Sequence, residues 1–365
     1  LMLSYIVTIS ISAFTIPPYL GFFWEPFKIS PVIGTSASIG IVVFLMIINI
    51  IGIKETSLLN MAAAVVDILT QVSLVLIGFI LLFQPSLVWE RITGNWPSTS
   101  NLILGIAMAS IAYTGIETMS QMAEETRQPE KKVPQALIMM IVTVLVIFAG
   151  ISLVSLSAMP PEELATRWAR DPVAGIAASL PIALIRDVLK PLIGILAGTI
   201  LLIATNAGLI GISRLAFSLG SHNLVPAVFS RIHPTFKTPY ISIILFSTIA
   251  IVIIIPGYFA GDIFENIGAL YAFGSLLAFM LAHASILSLR MRKPLLPRPF
   301  KLSMNLKIKG YELPLSAIIG FAASTAIWLT IITTQPFSRW VGLIWMAAGL
   351  ILYYFFRRRN KSGLP

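Results

Sequence analysis

The 365-residue sequence contains no cysteine and only three histidines, at positions 222, 233 and 283. The missing cysteines exclude a disulfide framework, a thiolate metal site, an iron–sulfur cluster and a cysteine nucleophile. The histidines are too scattered to read as a metal cage, and no metal or organic cofactor is expected. Charge is scarce as well: Asp, Glu, Lys and Arg make up 11% of the chain, against about 25% in soluble domains. So few charges cannot cover a water-facing surface of ordinary polarity. No His-Glu-x-x-His pair, Gly-x-Ser-x-Gly turn or phosphate-binding loop is present, so nothing points to an enzyme.

Apolar residues fill the chain instead, at 57%, with a mean hydropathy of +0.91. A helix needs about 20 mostly apolar residues to cross the hydrocarbon core. Ten stretches qualify, at 2–23, 32–52, 61–83, 102–121, 133–158, 190–213, 239–255, 264–289, 313–334 and 338–356. They are continuous rather than alternating in polarity, which favours helices over a barrel. Prolines such as Pro26, Pro85, Pro160 and Pro336 punctuate the connections. A further apolar stretch, 173–189, ends in Arg186 and Asp187 and reads as an interfacial helix. The expectation is an all-α polytopic membrane protein, a single transmembrane domain over residues 1–365 with the lipid bilayer as its surroundings.

The net charge of +10 could suggest nucleic acid, but the basic residues sit between apolar runs rather than on a soluble basic face, so no nucleic acid is expected. Their distribution orients the chain instead. Ten spans put 18 of them on one side: Lys54, Arg127, Lys131, Lys132, Arg214, Arg231, Lys237, the seven between Arg290 and Lys309, and the tail Arg357, Arg358, Arg359 and Lys361. The other side keeps 7: Lys28, Arg91, Arg167, Arg170, Arg186, Lys190 and Arg339. The basic side is the cytoplasmic one, which makes the protein multi-pass in the cell membrane with its C-terminal tail, 357–365, inside.

Polar groups at bilayer depth are costly and mark pathways. Two acids lie inside spans, Asp67 and Glu117. Glu117 follows Tyr113, Thr114 and Gly115, a poor helix interior where the backbone can open and offer carbonyls and amides to a small ligand. The alternative is a Glu that pairs with a hydroxyl on a neighbouring helix. Asp67 lies about two turns into its span, roughly 10 Å deep at 1.5 Å per residue. A buried carboxyl with no cation beside it favours its neutral form, which makes Asp67 a candidate proton carrier or, equally, a structural hydrogen-bond partner. Thr205, Asn206 and Ser213 add polarity to the sixth span, while Gly194 and Gly198 read as helix-packing positions. His283 reads as a satisfied packing residue.

The run from Ala112 to Pro134, Ala-Tyr-Thr-Gly-Ile-Glu-Thr-Met-Ser-Gln-Met-Ala-Glu-Glu-Thr-Arg-Gln-Pro-Glu-Lys-Lys-Val-Pro, resembles the sixth helix and following loop of the amino acid–polyamine–organocation permeases. A second stretch is similar to that family's eighth helix and its loop: Thr205-Asn206, Ser213-Arg214, Leu224-Val-Pro226, Phe229, His233-Pro234 and Thr238-Pro239. Gly52-Ile-Lys-Glu-Thr56 with Asn60 is similar to the entry of its fifth helix. The resemblance implies a twelve-helix, inverted-repeat (LeuT-like) transporter, of which these spans are helices three to twelve. Residues 1–83 are then the remainder of the first repeat, 102–289 the second, and 313–356 the last two helices. Helices one and two have no counterpart, and the chain opens on Leu1 within an apolar run, so the sequence reads as a fragment or a chain that has lost its front.

What the resemblance implies about function is secondary active transport, by alternating access, of an amino acid or polyamine. Carbonyls at 112–117 would receive the substrate ammonium, Tyr113 and Ile116 would wall the pocket, and Glu117 would hold the break. Ala112, Thr114 and Gly115 complete this substrate-binding segment. Asp67, Thr205, Asn206 and Ser213 are candidates for coupling or gating, with H+ or Na+ as the coupling ion, Ser213 lying near where related folds place sodium. Many relatives carry Lys in helix five, so Asp67 reverses the local charge. The alternative reading is a non-transporting partner or sensor subunit derived from a permease.

Overall fold

The computed structural model describes residues 1–52, 57–110, 116, 126–169, 171–260, 263–298, 300–302, 304–308 and 310–361. Nine helices among them are long and apolar enough to cross a membrane. They are α1 (Met2–Leu20), α2 (Pro31–Ile51), α3 (Ser57–Leu81), α4 (Pro129–Ala158), α5 (Ala183–Ser221), α6 (Tyr240–Ile254), α7 (Phe264–Arg292), α8 (Leu315–Thr334) and α9 (Pro336–Lys361). The tenth expected span, 102–121, begins as a shorter apolar helix, Thr99–Ala109, and its remainder lies largely outside the described residues. A two-stranded antiparallel hairpin, β1 (Asn305–Ile308) and β2 (Tyr311–Pro314), joins α7 to α8. The protein is an all-α, multi-pass membrane protein.

Helix α1 is apolar or small-polar on every side, and residues 3–14 and 16–18 are all buried. A helix of that composition belongs inside a bundle. It packs most extensively against α5 and also against α7, α2 and α6. Glycines on α5 permit the approach. A Cβ at Gly208 would stand 2.9 Å from Ile9 Cγ1, and one at Gly211 would stand 2.8 Å from the Tyr5 ring. Gly194 and Gly198 serve the same helix pair, facing the Tyr19 carbonyl oxygen and Leu20. Of the serines on α1, Ser10 shares its hydroxyl proton between the Ile6 carbonyl at 3.0 Å and the Ala250 carbonyl of α6 at 3.1 Å, whereas the buried Ser4 Oγ has no hydrogen-bond partner among the described residues. By contrast α3, α4, α8 and α9 leave most of their apolar surface uncovered, as lipid-facing helices do.

A second apolar cluster, including Leu74, Val154, Met159, Ile176, Leu180 and Ile193, joins α3, α4 and α5 to a short helix, Pro172–Ala178. The interfacial helix expected over 173–189 is corrected here. The chain forms the short helix, three of whose residues (Gly175, Ile176 and Ala177) are buried, bends through Ser179–Ile182, and enters α5 at Ala183. Pro181 provides the break, because it cannot donate the hydrogen bond a continuous helix requires there. His283 packs against Gly320 of α8, but its Nδ1 has no hydrogen-bond partner among the described residues, so it is a packing residue without being the satisfied one the sequence suggests.

Candidate functional site

A polar feature lies among α1, α3, α4 and α5. A cavity of about 410 Å³ is lined there by Thr15 and Tyr19 of α1, Asp67, Thr70, Gln71 and Leu74 of α3, Phe148 and Ile151 of α4, Pro172 and Val173, and residues 193–201 of α5. That volume falls in the range of small-molecule sites. Asp67 is half-buried and accepts a hydrogen bond from Gln71 Nε2 at 2.6 Å, one turn along its own helix. It forms no ion pair among the described residues. The two threonine hydroxyls donate to their own helix, Thr15 to the Ile11 carbonyl at 2.7 Å and Thr70 to the Val66 carbonyl at 2.8 Å. Their protons are thereby spent, so Thr15, Thr70 and Asp67 present oxygen acceptors to a mostly apolar chamber whose other polar groups are Tyr19 and Gln71. Such an end suits a proton, a cation or an ammonium group, since an ionised carboxylate at this depth needs a counter-charge.

Toward the side assigned to the exterior by charge, Tyr19 also borders a second cavity of about 520 Å³, whose walls include Phe22, Phe23, Lys28, Trp168, Asp171 and Lys190. Lys28 Nζ meets both carboxylate oxygens of Asp171, at 3.0 and 2.7 Å. The Trp168 ring lies 4.4 Å from the same nitrogen. Asp171 is buried and Lys28 keeps 32% of its side chain exposed. The pair straps the Pro161–Ala178 segment to the turn between α1 and α2.

Of the residues singled out in the sequence, Ala112, Tyr113, Thr114, Gly115 and Glu117 lie outside the described residues; Ile116 is helical and half-buried. Thr205, Asn206 and Ser213 are buried on α5, but they do not join Asp67. The cavity ends at Leu201, and Ser213 stands twelve residues further along, about 18 Å of helix. Thr205 Oγ1 donates to the Leu201 carbonyl at 2.7 Å and Ser213 Oγ to the Ile210 carbonyl at 3.0 Å. Asn206 instead reaches across the bundle, its Oδ1 accepting from Asn49 Nδ2 of α2 at 2.5 Å. Thr15 and Tyr19 carry no sequence signal because a Thr and a Tyr in an apolar helix are ordinary, and their nearness to Asp67 exists only once α1 and α3 are placed; Gln71 stands one helical turn from Asp67, a spacing the sequence does show. The Lys28–Asp171 pair, 143 residues apart, left no sequence signal beyond both residues falling on the same side of the bilayer. Among the described residues, no group of three or more His, Asp or Glu could hold a metal ion.

Comparison with known proteins is consistent with this architecture. The profile of a family described as amino acid permease matches residues 1–356. The branched-chain amino acid permease BcaP of Bacillus subtilis is 24% identical over 316 residues, covering 86% of this chain and 62% of that protein. A methylthioribose transporter of the same organism is 26% identical over 340 residues, covering 88% of this chain and 64% of that protein. The D-serine/D-alanine/glycine transporter of Escherichia coli K12 is 23% identical over 209 residues, 54% of this chain and 43% of its own. The chain thus spans under two thirds of the length of these curated relatives.

Proposed function

The chain belongs to the amino acid permease family, and from that premise we propose that it carries amino acids or closely related amines across the cell membrane. The observation that carries the reading is the chamber of about 410 Å³ set among membrane-spanning helices, with a carboxylate and two threonine oxygens on an apolar wall. Solutes cross by alternating access, the bundle rocking about a site near the midplane. The substrate ammonium meets backbone carbonyls at 112–117, with Tyr113 and Ile116 as walls and Glu117 holding the break. Asp67 takes up the coupling proton and returns it on the other side. The branched-chain substrate in the name of the Bacillus subtilis relative makes an aliphatic amino acid the first candidate.

Uptake of radiolabelled amino acids by cells or vesicles containing the native protein tests this directly. Leucine-type substrates should accumulate, and Glu117→Gln should abolish most of that uptake while wild-type amounts of folded protein remain in the membrane. Undiminished uptake in Glu117→Gln would remove the role given to Glu117. Failure of the native protein to move any amino acid or amine would remove the transport reading itself.

A further inference from the structure

At the opposite end of α5 from the two cavities lies a smaller pocket of about 250 Å³, lined by Arg214 and Phe217 of α5, Ile232 and Lys237 of the connection, and Pro239 at the head of α6. Its position is interfacial. Arg214 precedes the end of α5 by seven residues, Lys237 precedes α6 by three, and both belong to the basic, cytoplasmic set. We propose that this pocket binds the phosphate headgroup of an anionic phospholipid in the cytoplasmic leaflet.

Three observations lead to that ligand. The pocket holds two cations and no acid among the described residues. Neither Arg214 nor Lys237 makes an ion pair there, and a guanidinium with an ammonium is a natural cradle for a phosphate. The remaining walls, Phe217, Ile232 and Pro239, are apolar, which matches the glycerol and first methylenes of a lipid better than a hydrated soluble anion. The connection from His222 to Pro239 also exposes Leu224, Ile232 and Phe236, large apolar side chains that a segment bathed only in water would not display together. Basic clusters with apolar neighbours at the cytoplasmic ends of spans are what anionic headgroups recognise.

The connection is also built to hold Lys237 in place. His233 Nδ1 accepts hydrogen bonds from the backbone N–H groups of Thr235 and Phe236, both at 3.2 Å. The His233 ring stacks on Phe236 with centroids 4.7 Å apart and meets Tyr240 edge-on at 5.4 Å. The Lys237 N–H donates to the His233 carbonyl at 3.0 Å, and Thr238 Oγ1 donates to the Ile50 carbonyl of α2 at 2.7 Å. Lys237 itself sits at φ +58°, in the left-handed region that a side chain bearing a Cβ adopts at a cost. Glycine would satisfy the turn more cheaply, yet this position carries a lysine that lines the pocket.

The test is thermal unfolding of the full chain in phosphatidylcholine nanodiscs, with and without phosphatidylglycerol. Phosphatidylglycerol should raise the wild-type midpoint by several degrees, and Arg214→Gln/Lys237→Gln should lose most of that rise. Lys237→Gly keeps the experiment decisive if the double variant folds poorly. It relieves the left-handed backbone, so its midpoint in pure phosphatidylcholine should equal or exceed wild type while its response to phosphatidylglycerol falls by about half. Lys307→Gln, on the exposed hairpin of the same side, should respond as wild type does. An undiminished response in both pocket variants would overturn the proposal. So would an equal rise produced by inorganic phosphate in phosphatidylcholine discs through the same residues, which would assign the pocket to a soluble anion. Neither outcome touches amino-acid uptake, so this inference and the transport reading stand or fall separately.

Discussion

Asp67 is a single carboxylate in a chamber that supplies it with one hydrogen bond and no counter-charge among the described residues. A hydrogen bond from an amide to a charged group contributes about 1.5–3 kcal/mol, well short of what removing a carboxylate from water costs. The group therefore has reason to exchange a proton or a cation during each cycle. Asp67→Asn keeps the shape and the Gln71 contact but cannot titrate. Uptake by that variant, measured over a range of external pH, should be flat where the wild-type profile slopes. An unchanged slope would take the proton-carrier role away from Asp67. The rarity of acids in the spans was enough to single out Asp67 from the sequence, because the cost of burial makes each intramembrane acid conspicuous. Its companions Thr15 and Tyr19 are illegible for the converse reason: their polarity is cheap to bury, and their meaning comes from packing between helices far apart in the chain, whereas Gln71 stands at a readable i,i+4 spacing on the same helix.

At the scale of elements, the bundle is organised around α1, whose burial on all sides was not anticipated from a run that read like any other span. Hydropathy reports that a helix leaves water, but not whether it meets lipid or protein. The serines at 4, 10 and 12 were the available hint, since lipid-facing helices have little use for them. The stretch 173–189 shows a related limit. Its apolar composition suggests one interfacial helix, whereas Pro181 divides it between the partly buried short helix Pro172–Ala178, tied to the turn after α1 through Lys28 and Asp171, and the start of α5. Lys28→Met would leave the Asp171 carboxylate buried without its cation. Breaking a fully buried pair in this way costs about 3–5 kcal/mol; with Lys28 32% exposed, about 1–3 kcal/mol is expected here, after discounting for solvent. The loss should appear as faster amide exchange over residues 161–178 than in wild type, with exchange in α1 unaltered. A Lys28→Asp/Asp171→Lys exchange should recover part of the protection, and equal exchange in Lys28→Met would show that the strap carries no load.

The whole molecule is oriented by a charge imbalance that no single helix contains. Positive side chains are held back from the outer face during insertion, and with 18 of 25 Lys and Arg on one set of connections we propose that this set is the cytoplasmic one. The fold carries the assignment further. Lys28, Asp171, Trp168 and Lys190 gather around one cavity at one end of the bundle, while Arg214 and Lys237 gather at the other. The two ends consequently differ in chemistry. The Tyr19 cavity carries charges of both signs, whereas the pocket at the other end is lined by two cations and no acid among the described residues. Because these 365 residues contain no cysteine, the orientation of this chain can be read with single introduced thiols, each compared with the unmodified chain. Glu25→Cys, exposed between α1 and α2, should react with a membrane-impermeant maleimide added to intact cells. Lys307→Cys, exposed on the hairpin between α7 and α8, should react only after the cells are permeabilised. The reverse pattern would invert the bilayer around the bundle, moving the basic pocket to the outer leaflet and the Tyr19 cavity to the cytoplasm, and with them the direction from which each conformation admits its substrate.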